Sequence, residues 1–208
     1  RCHVDKTNKW SDDWITKWYG PGRRPHYATI IEAGRKRLPE ARKALIRWAE
    51  DPLYPVIVRS TALSLLSAYP GADTTEAFRL ALMDNEALIR RTAIESLHTT
   101  DQKELVKLIT PSLYDPVQAV RMEASQRLAG PPAKMLSPEE QKVYQTALNE
   151  FKKSMAYSAD FAFGRYNLGN LYGVLGHPEE AVRNYEAAIK IDDLFYPAKV
   201  NLSILLNQ

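Results

Sequence analysis

The stretch Val58-Arg59-Ser60-Thr61-Ala62-Leu63-Ser64-Leu65-Leu66 carries a pattern that returns twice. It recurs as Ile89-Arg90, Ala93 and Leu97, and again as Val120-Arg121, Ala124 and Leu128, with a step of 31 residues both times. The apolar residue, the alanine four positions on and the leucine four beyond that fall on one face of a helix. An alanine at the centre of such a face lets another helix approach closely. Upstream of each copy stands an acidic residue beside a loop former: Asp51-Pro52, Asp84-Asn85 and Asp115-Pro116. Asp ahead of a helix-forming run reads as an N-cap, with proline tolerated in the first turn. The first copy has two extra residues in this turn. The periodicity predicts inner helices over about 55–68, 86–98 and 116–128, each preceded by an outer helix, over about 39–50, 74–83 and 101–113. Pro111 should kink or shorten the last of these.

Three copies in one register, over about residues 38–129, resemble HEAT repeats or their short bacterial form. The resemblance implies that Arg59, Arg90 and Arg121 pair with aspartates of the inter-helix turns, with Asp51, Asp84 and Asp115 as candidates. That ladder is structural and is not a ligand site.

Gly130-Pro131-Pro132 ends this pattern. Ser137-Pro138-Glu139-Glu140 then starts a new helix, with Ser137 as cap and Pro138 in its first position. The second repeat type reads Tyr166-Asn167-Leu168-Gly169-Asn170-Leu171-Tyr172, then Gly176, Ala181, Tyr185 and Ala188. Order and spacing resemble a tetratricopeptide (TPR) unit. Ala147 and Phe151 stand 34 residues before Ala181 and Tyr185, and Leu202 stands 34 after Leu168, which gives one full unit with a half on each side. Small Gly169 and Ala181 should let two helices cross closely while Tyr172 and Tyr185 fill the gap. Arg165 and Asp193 depart from the family pattern, which favours an aromatic and a proline there. The expected fold is therefore all-α, an α-α superhelix of HEAT-like hairpins over residues 27–129 followed by TPR helices over 138–208. Such stacks present an extended concave surface. On the first TPR helix, about 160–175, the polar residues Arg165, Asn167 and Asn170 are not needed for packing; with Asn201 they are candidates for holding an extended peptide, because an asparagine amide both donates and accepts.

Residues 1–26 fit neither repeat. Trp10, Trp14 and Trp18 fall at i, i+4 and i+8, the spacing of one helix face, and are expected to seal the open end of the stack or to pack on a haem edge. Cys2-His3 matches the end of a c-type haem attachment sequence, C-x-x-C-H. Together with Lys17-Trp18-Tyr19-Gly20-Pro21, Arg24-Pro25-His26-Tyr27 and Ala33-Gly34-Arg35, it resembles the junction found in bacterial multihaem cytochrome c proteins that carry TPR tails. The resemblance covers residues 1–37. It implies an exported, periplasmic parent protein with several haem c groups, Cys2 as a thioether cysteine and His3 as proximal iron ligand. The chain starts at Arg1 rather than Met and holds one of the two thiols, so it is expected to be a piece that carries no haem by itself. His26 has two readings, a second axial or propionate contact beside Arg23-Arg24, or a cap for the helix from Tyr27. His98 and His177 read as structural.

Residues 1–50 hold 12 Lys/Arg against 6 Asp/Glu, whereas the whole chain is only +3. Such asymmetry marks either a solvated basic face or a seat for an anionic partner. The single cysteine excludes an internal disulfide and a Cys-rich zinc site. No phosphate loop, nucleophile elbow, H-E-x-x-H motif or paired catalytic carboxylates are present, and nothing points to nucleic acid. The function expected is protein binding without catalysis, at the C-terminal end of an exported multihaem cytochrome where it docks or assembles redox partners. Direct electron transfer through a Cys2-His3 haem, and a generic scaffold unrelated to haem, are the alternatives.

Overall fold

A computed structural model describes residues 3–22 and 26–207. Cys2, Arg23 and Arg24 lie outside them. Among the described residues there are twelve α-helices and no strand: α1 (Asn8–Tyr19), α2 (Tyr27–Arg35), α3 (Ala41–Glu50), α4 (Val56–Leu66), α5 (Ala72–Ala81), α6 (Ala87–Ser96), α7 (Gln102–Ile109), α8 (Gln118–Arg127), α9 (Pro138–Tyr157), α10 (Ala162–Val174), α11 (Pro178–Ile191) and α12 (Tyr196–Leu206). Helices pair with their neighbours in sequence and stack as an α-α superhelix.

The repeated pattern builds the inner layer, in which α4 packs on α6 and α6 on α8. Ala62, Ala93 and Ala124 are each 0% exposed, as are Leu66, Ile89, Val120 and Leu128. The outer helices α3 and α5 back onto α4 and α6. The third outer helix is cut short at Ile109. Pro111 lacks the N–H that would continue the helix, and the chain tightens into a 3-10 turn, Thr110–Tyr114, which packs on α8 in its place.

The aspartates act differently from simple caps. The N-cap positions of α4, α6 and α8 are Pro55, Glu86 and Val117, none with a side-chain cap. Asp51, Asp84 and Asp115 stand further upstream, and each Oδ1 accepts an amide two residues on, from Leu53 (2.9 Å), Glu86 (2.9 Å) and Val117 (2.8 Å). Their arginine partners come from the preceding repeat: Arg59 pairs with Asp84 and Arg90 with Asp115. The register is thus shifted by one repeat, Asp51 has no rung of this kind among the described residues, and Arg121 pairs with Glu150 of α9, at 2.7 Å. Each guanidinium also donates to backbone carbonyls, Arg90 to those of Asp84 and Asn85 and Arg121 to those of Asp115 and Pro116.

α9 opens with the expected cap. Ser137 Oγ accepts the Glu140 amide, Glu140 reaches back to the Ser137 amide, and Pro138 fills the first position. Tyr144, Ala147, Leu148 and Phe151 of α9 belong to the same buried cluster as α3–α8. The core therefore runs without a break from the HEAT-like helices into α9. A second, smaller cluster is built from Ala162, Ala181, Tyr185, Ala188 and Ala198. At its centre α10 and α11 cross closely: a Cβ on Gly169 would lie 2.5 Å from the Tyr185 ring. Gly130, with φ 81°, turns the chain against Val174 of α10 and ties the connecting segment to this hairpin.

The tryptophan stripe does not seal the stack. α1 has no buried residue and makes no substantial packing contact with another helix. The end of the stack is covered by α2, whose Tyr27, Ile30 and Ala33 pack on the core and whose Gly34 admits the Leu45 and Leu65 side chains. Tyr69 Oη fixes this closure by donating to the Leu38 carbonyl at 3.1 Å. The tryptophans instead contact one another and the N-terminal segment itself: Trp10–Trp14 at 6.2 Å, Trp14–Trp18 at 5.6 Å, Lys17 over Trp14 at 4.3 Å and Lys6 over Trp10 at 5.9 Å.

Candidate protein-binding surface

α10 carries the candidate residues along one stripe, because Phe163, Asn167, Asn170 and Val174 are spaced by three or four. The stripe is shared between two grooves. The first, about 400 Å3, lies between α10, α11 and α12 and is lined by Asn170, Val174, Tyr185, Asn201 and Ile204. Asn170 Oδ1 accepts from Tyr185 Oη and from Asn201 Nδ2, both at 2.8 Å, and Asn201 Nδ2 also lies 3.4 Å from Tyr166 Oη. Of the two asparagines of α10, Asn170 and not Asn167 meets Asn201. The reason is helical: Asn170 is one turn closer to the α11–α12 side. These bonds use the Asn170 carbonyl oxygen and the Asn201 amide nitrogen, so the donor of Asn170 and the acceptor of Asn201 are not spent on them. Burial pushes the Tyr185 hydroxyl up, which keeps it a neutral donor to Asn170.

Asn167 faces the other groove, on the α8–α9 side, where its Nδ2 lies 3.5 Å from Met155 Sδ. Arg165 lines neither groove. Its Nε donates to the Ala159 carbonyl at 3.2 Å and secures the turn between α9 and α10. That contact accounts for a long polar side chain where the TPR pattern favours an aromatic.

Of the haem-related candidates, Cys2 lies outside the described residues. His3 is exposed, its ring 5.1 Å from that of Trp10. His26 caps α2, its Nδ1 accepting the Ala28 amide at 3.1 Å. Among the described residues no three His, Cys, Asp or Glu side chains gather as a metal site. Cys2 is the one cysteine of the sequence. No helix among the described residues is long and apolar enough to cross a membrane.

Comparison with protein-family models, with curated proteins and with solved structures returns no match.

Proposed function

We propose that this chain is a non-catalytic protein-binding scaffold that holds an extended partner segment on the face formed by α10 and α12. The observation that carries this reading is the Asn170–Asn201–Tyr185 cluster at the wall of an open groove. Two asparagines locked side by side by a tyrosine present a donor and an acceptor at fixed spacing, which is what a peptide unit needs for its C=O and N–H. Locking matters because an already ordered side chain loses little entropy on binding. The setting we propose, the repeat region of an exported multihaem c-type cytochrome that docks redox partners, rests on the resemblance of residues 1–37 alone. A Soret band from covalent haem in the full-length parent would support it.

The binding reading is tested by capture from periplasmic extract with wild type and with an Asn170→Ala, Asn201→Ala double variant. The variant should keep its helicity and lose the partner. Equal capture by both proteins would contradict binding on this face and turn attention to the basic residues 1–50.

A further inference from the structure

Between the two repeat types lies a groove of about 390 Å3 that neither builds alone. α6 and α8 form one wall, with Arg91, Glu95 and Glu123, while α9 and α10 close it with Met155, Phe163 and Asn167. Glu123 sits low in the groove, its side chain 15% exposed, and its carboxylate accepts from Arg91 Nε at 3.0 Å. Arg91 stands on the rim at 45% exposure. Burial pushes the Glu123 carboxyl above the ordinary range despite that hydrogen bond. Arg127, the next nearest cation, turns its guanidinium away to the Leu97 carbonyl at 2.6 Å. Glu95 follows Arg91 by one turn of α6, is exposed, and has no ion-pair partner among the described residues. With Arg91 engaged by Glu123, the uncompensated charge of the groove is negative. Beside it lies an apolar shelf of Met122, Met155 and Phe163, the last 60% exposed.

From this charge and this shelf we infer that the junction groove is the seat of an arginine or lysine side chain from an extended partner segment. The head group pairs with Glu95, within reach of Glu123. The aliphatic stem lies along Met122 and Met155, and Phe163 offers its ring face to the cation. Asn167 at the groove edge holds the adjoining backbone. The inference rests on the protein-binding reading above and adds to it the chemistry of one anchor residue.

The four methionines provide the test, because two line this groove (Met122, Met155) and two do not (Met83, Met135). The protein labelled with 13C at the methionine methyls is titrated with acetyl-Ala-Leu-Arg-Leu-Ala-amide and with the same peptide carrying Glu in place of Arg. The arginine peptide should shift the Met122 and Met155 signals saturably while Met83 and Met135 stay still, and the glutamate peptide should bind at least about fivefold more weakly. Exposed Glu95→Lys should preserve the fold and weaken the arginine peptide about fivefold or more, since it reverses the charge of one solvent-facing pair. An equal response to both peptides would overturn the charge assignment and leave protein binding on the face intact. No shift of Met122 and Met155 with either peptide at millimolar concentration would overturn the site. A shift of Met83 instead would move binding to the outer groove between α5 and α7 and overturn both readings.

Discussion

The stack from α3 to α8 and the hairpin of α10 with α11 are both built of paired helices, yet different forces set their spacing. In the first, alanines bring the inner helices together and a row of ion pairs fixes how one repeat sits on the next. In the second there is no such row. Gly169 and Ala181 open a slot, and Tyr185 fills it. A ladder specifies register through directional bonds; an interdigitated slot specifies it through shape. α9 belongs to both. It takes the last rung through Glu150, and it holds the Ala147 and Phe151 positions of the TPR register. α9 thus joins the two repeat types directly.

The ladder should be the most sensitive feature. Arg90 and Asp115 are 14% and 7% exposed, and removal of the guanidinium would leave a buried carboxylate without its partner. Arg90→Ala should cost about 2–4 kcal/mol in urea unfolding. The rungs become more exposed toward α9, where Arg121 and Glu150 are both at 24%. Arg121→Ala should therefore cost less, about 1–2 kcal/mol. Equal costs at the two sites would show that burial does not set the strength of the rungs.

The ladder also has a pH signature. Burial pulls the Asp115 carboxyl up, but the Arg90 hydrogen bond, the Val117 amide and the charges of Arg90 and Arg121 outweigh it and hold it below the ordinary aspartate value of 3.8. Its contribution is full above that value and disappears as pH falls through the lower folded-state value. Stability of the wild type should drop below about pH 4, and Arg90→Ala should show a shallower drop, as read by urea midpoints across that range.

The slot should respond to added volume and not to charge. Gly169→Ala puts a methyl into the Tyr185 ring, and Ala93→Leu does the same to the inner layer of the stack; each should cost about 1–3 kcal/mol. An unchanged Tm for Ala93→Leu would count against the repeat packing, and an unchanged Tm for Gly169→Ala against the close crossing of α10 and α11.

The smallest effects should come from groups that do not hold the stack. Glu123 is held above its ordinary range by burial, so its ionised form at neutral pH is a cost to the fold. Glu123→Gln should leave Tm at pH 7 unchanged or raise it slightly. Removal of residues 1–22, which include all of α1, should leave urea unfolding within about 0.5 kcal/mol of wild type, because none of the described residues among them is buried.

The comparison also explains what could be read in the sequence. The inner faces, the Pro111 break, the Ser137 cap and the Gly169–Tyr185 crossing follow from local spacing, and local spacing is what periodicity reports. The tertiary partners of polar side chains do not. Arg59 reaches Asp84, 25 residues on, where Asp51 lies nearer in sequence, because the superhelix sets each arginine over the following turn. Trp10, Trp14 and Trp18 formed the most conspicuous apolar face, yet the modest Tyr27, Ile30, Ala33 and Gly34 set covers the stack. Spacing defines a face but not the surface it meets. The asparagine pair was legible as residue types and missed as a pair, and the groove at Glu123 could not be foreseen because its walls come from two repeat types.

The central claim is that the inner, α10-lined face holds a partner, and site-specific photo-cross-linking addresses it most directly. A photoreactive residue is placed at Gln126 or Ile204, which line the two inner grooves, and in parallel at Lys107 or Arg79, which line the outer groove between α5 and α7. The account predicts that a captured partner is cross-linked from Gln126 and Ile204 and not from Lys107 or Arg79; cross-links from the outer positions alone, with the inner ones silent, would contradict it.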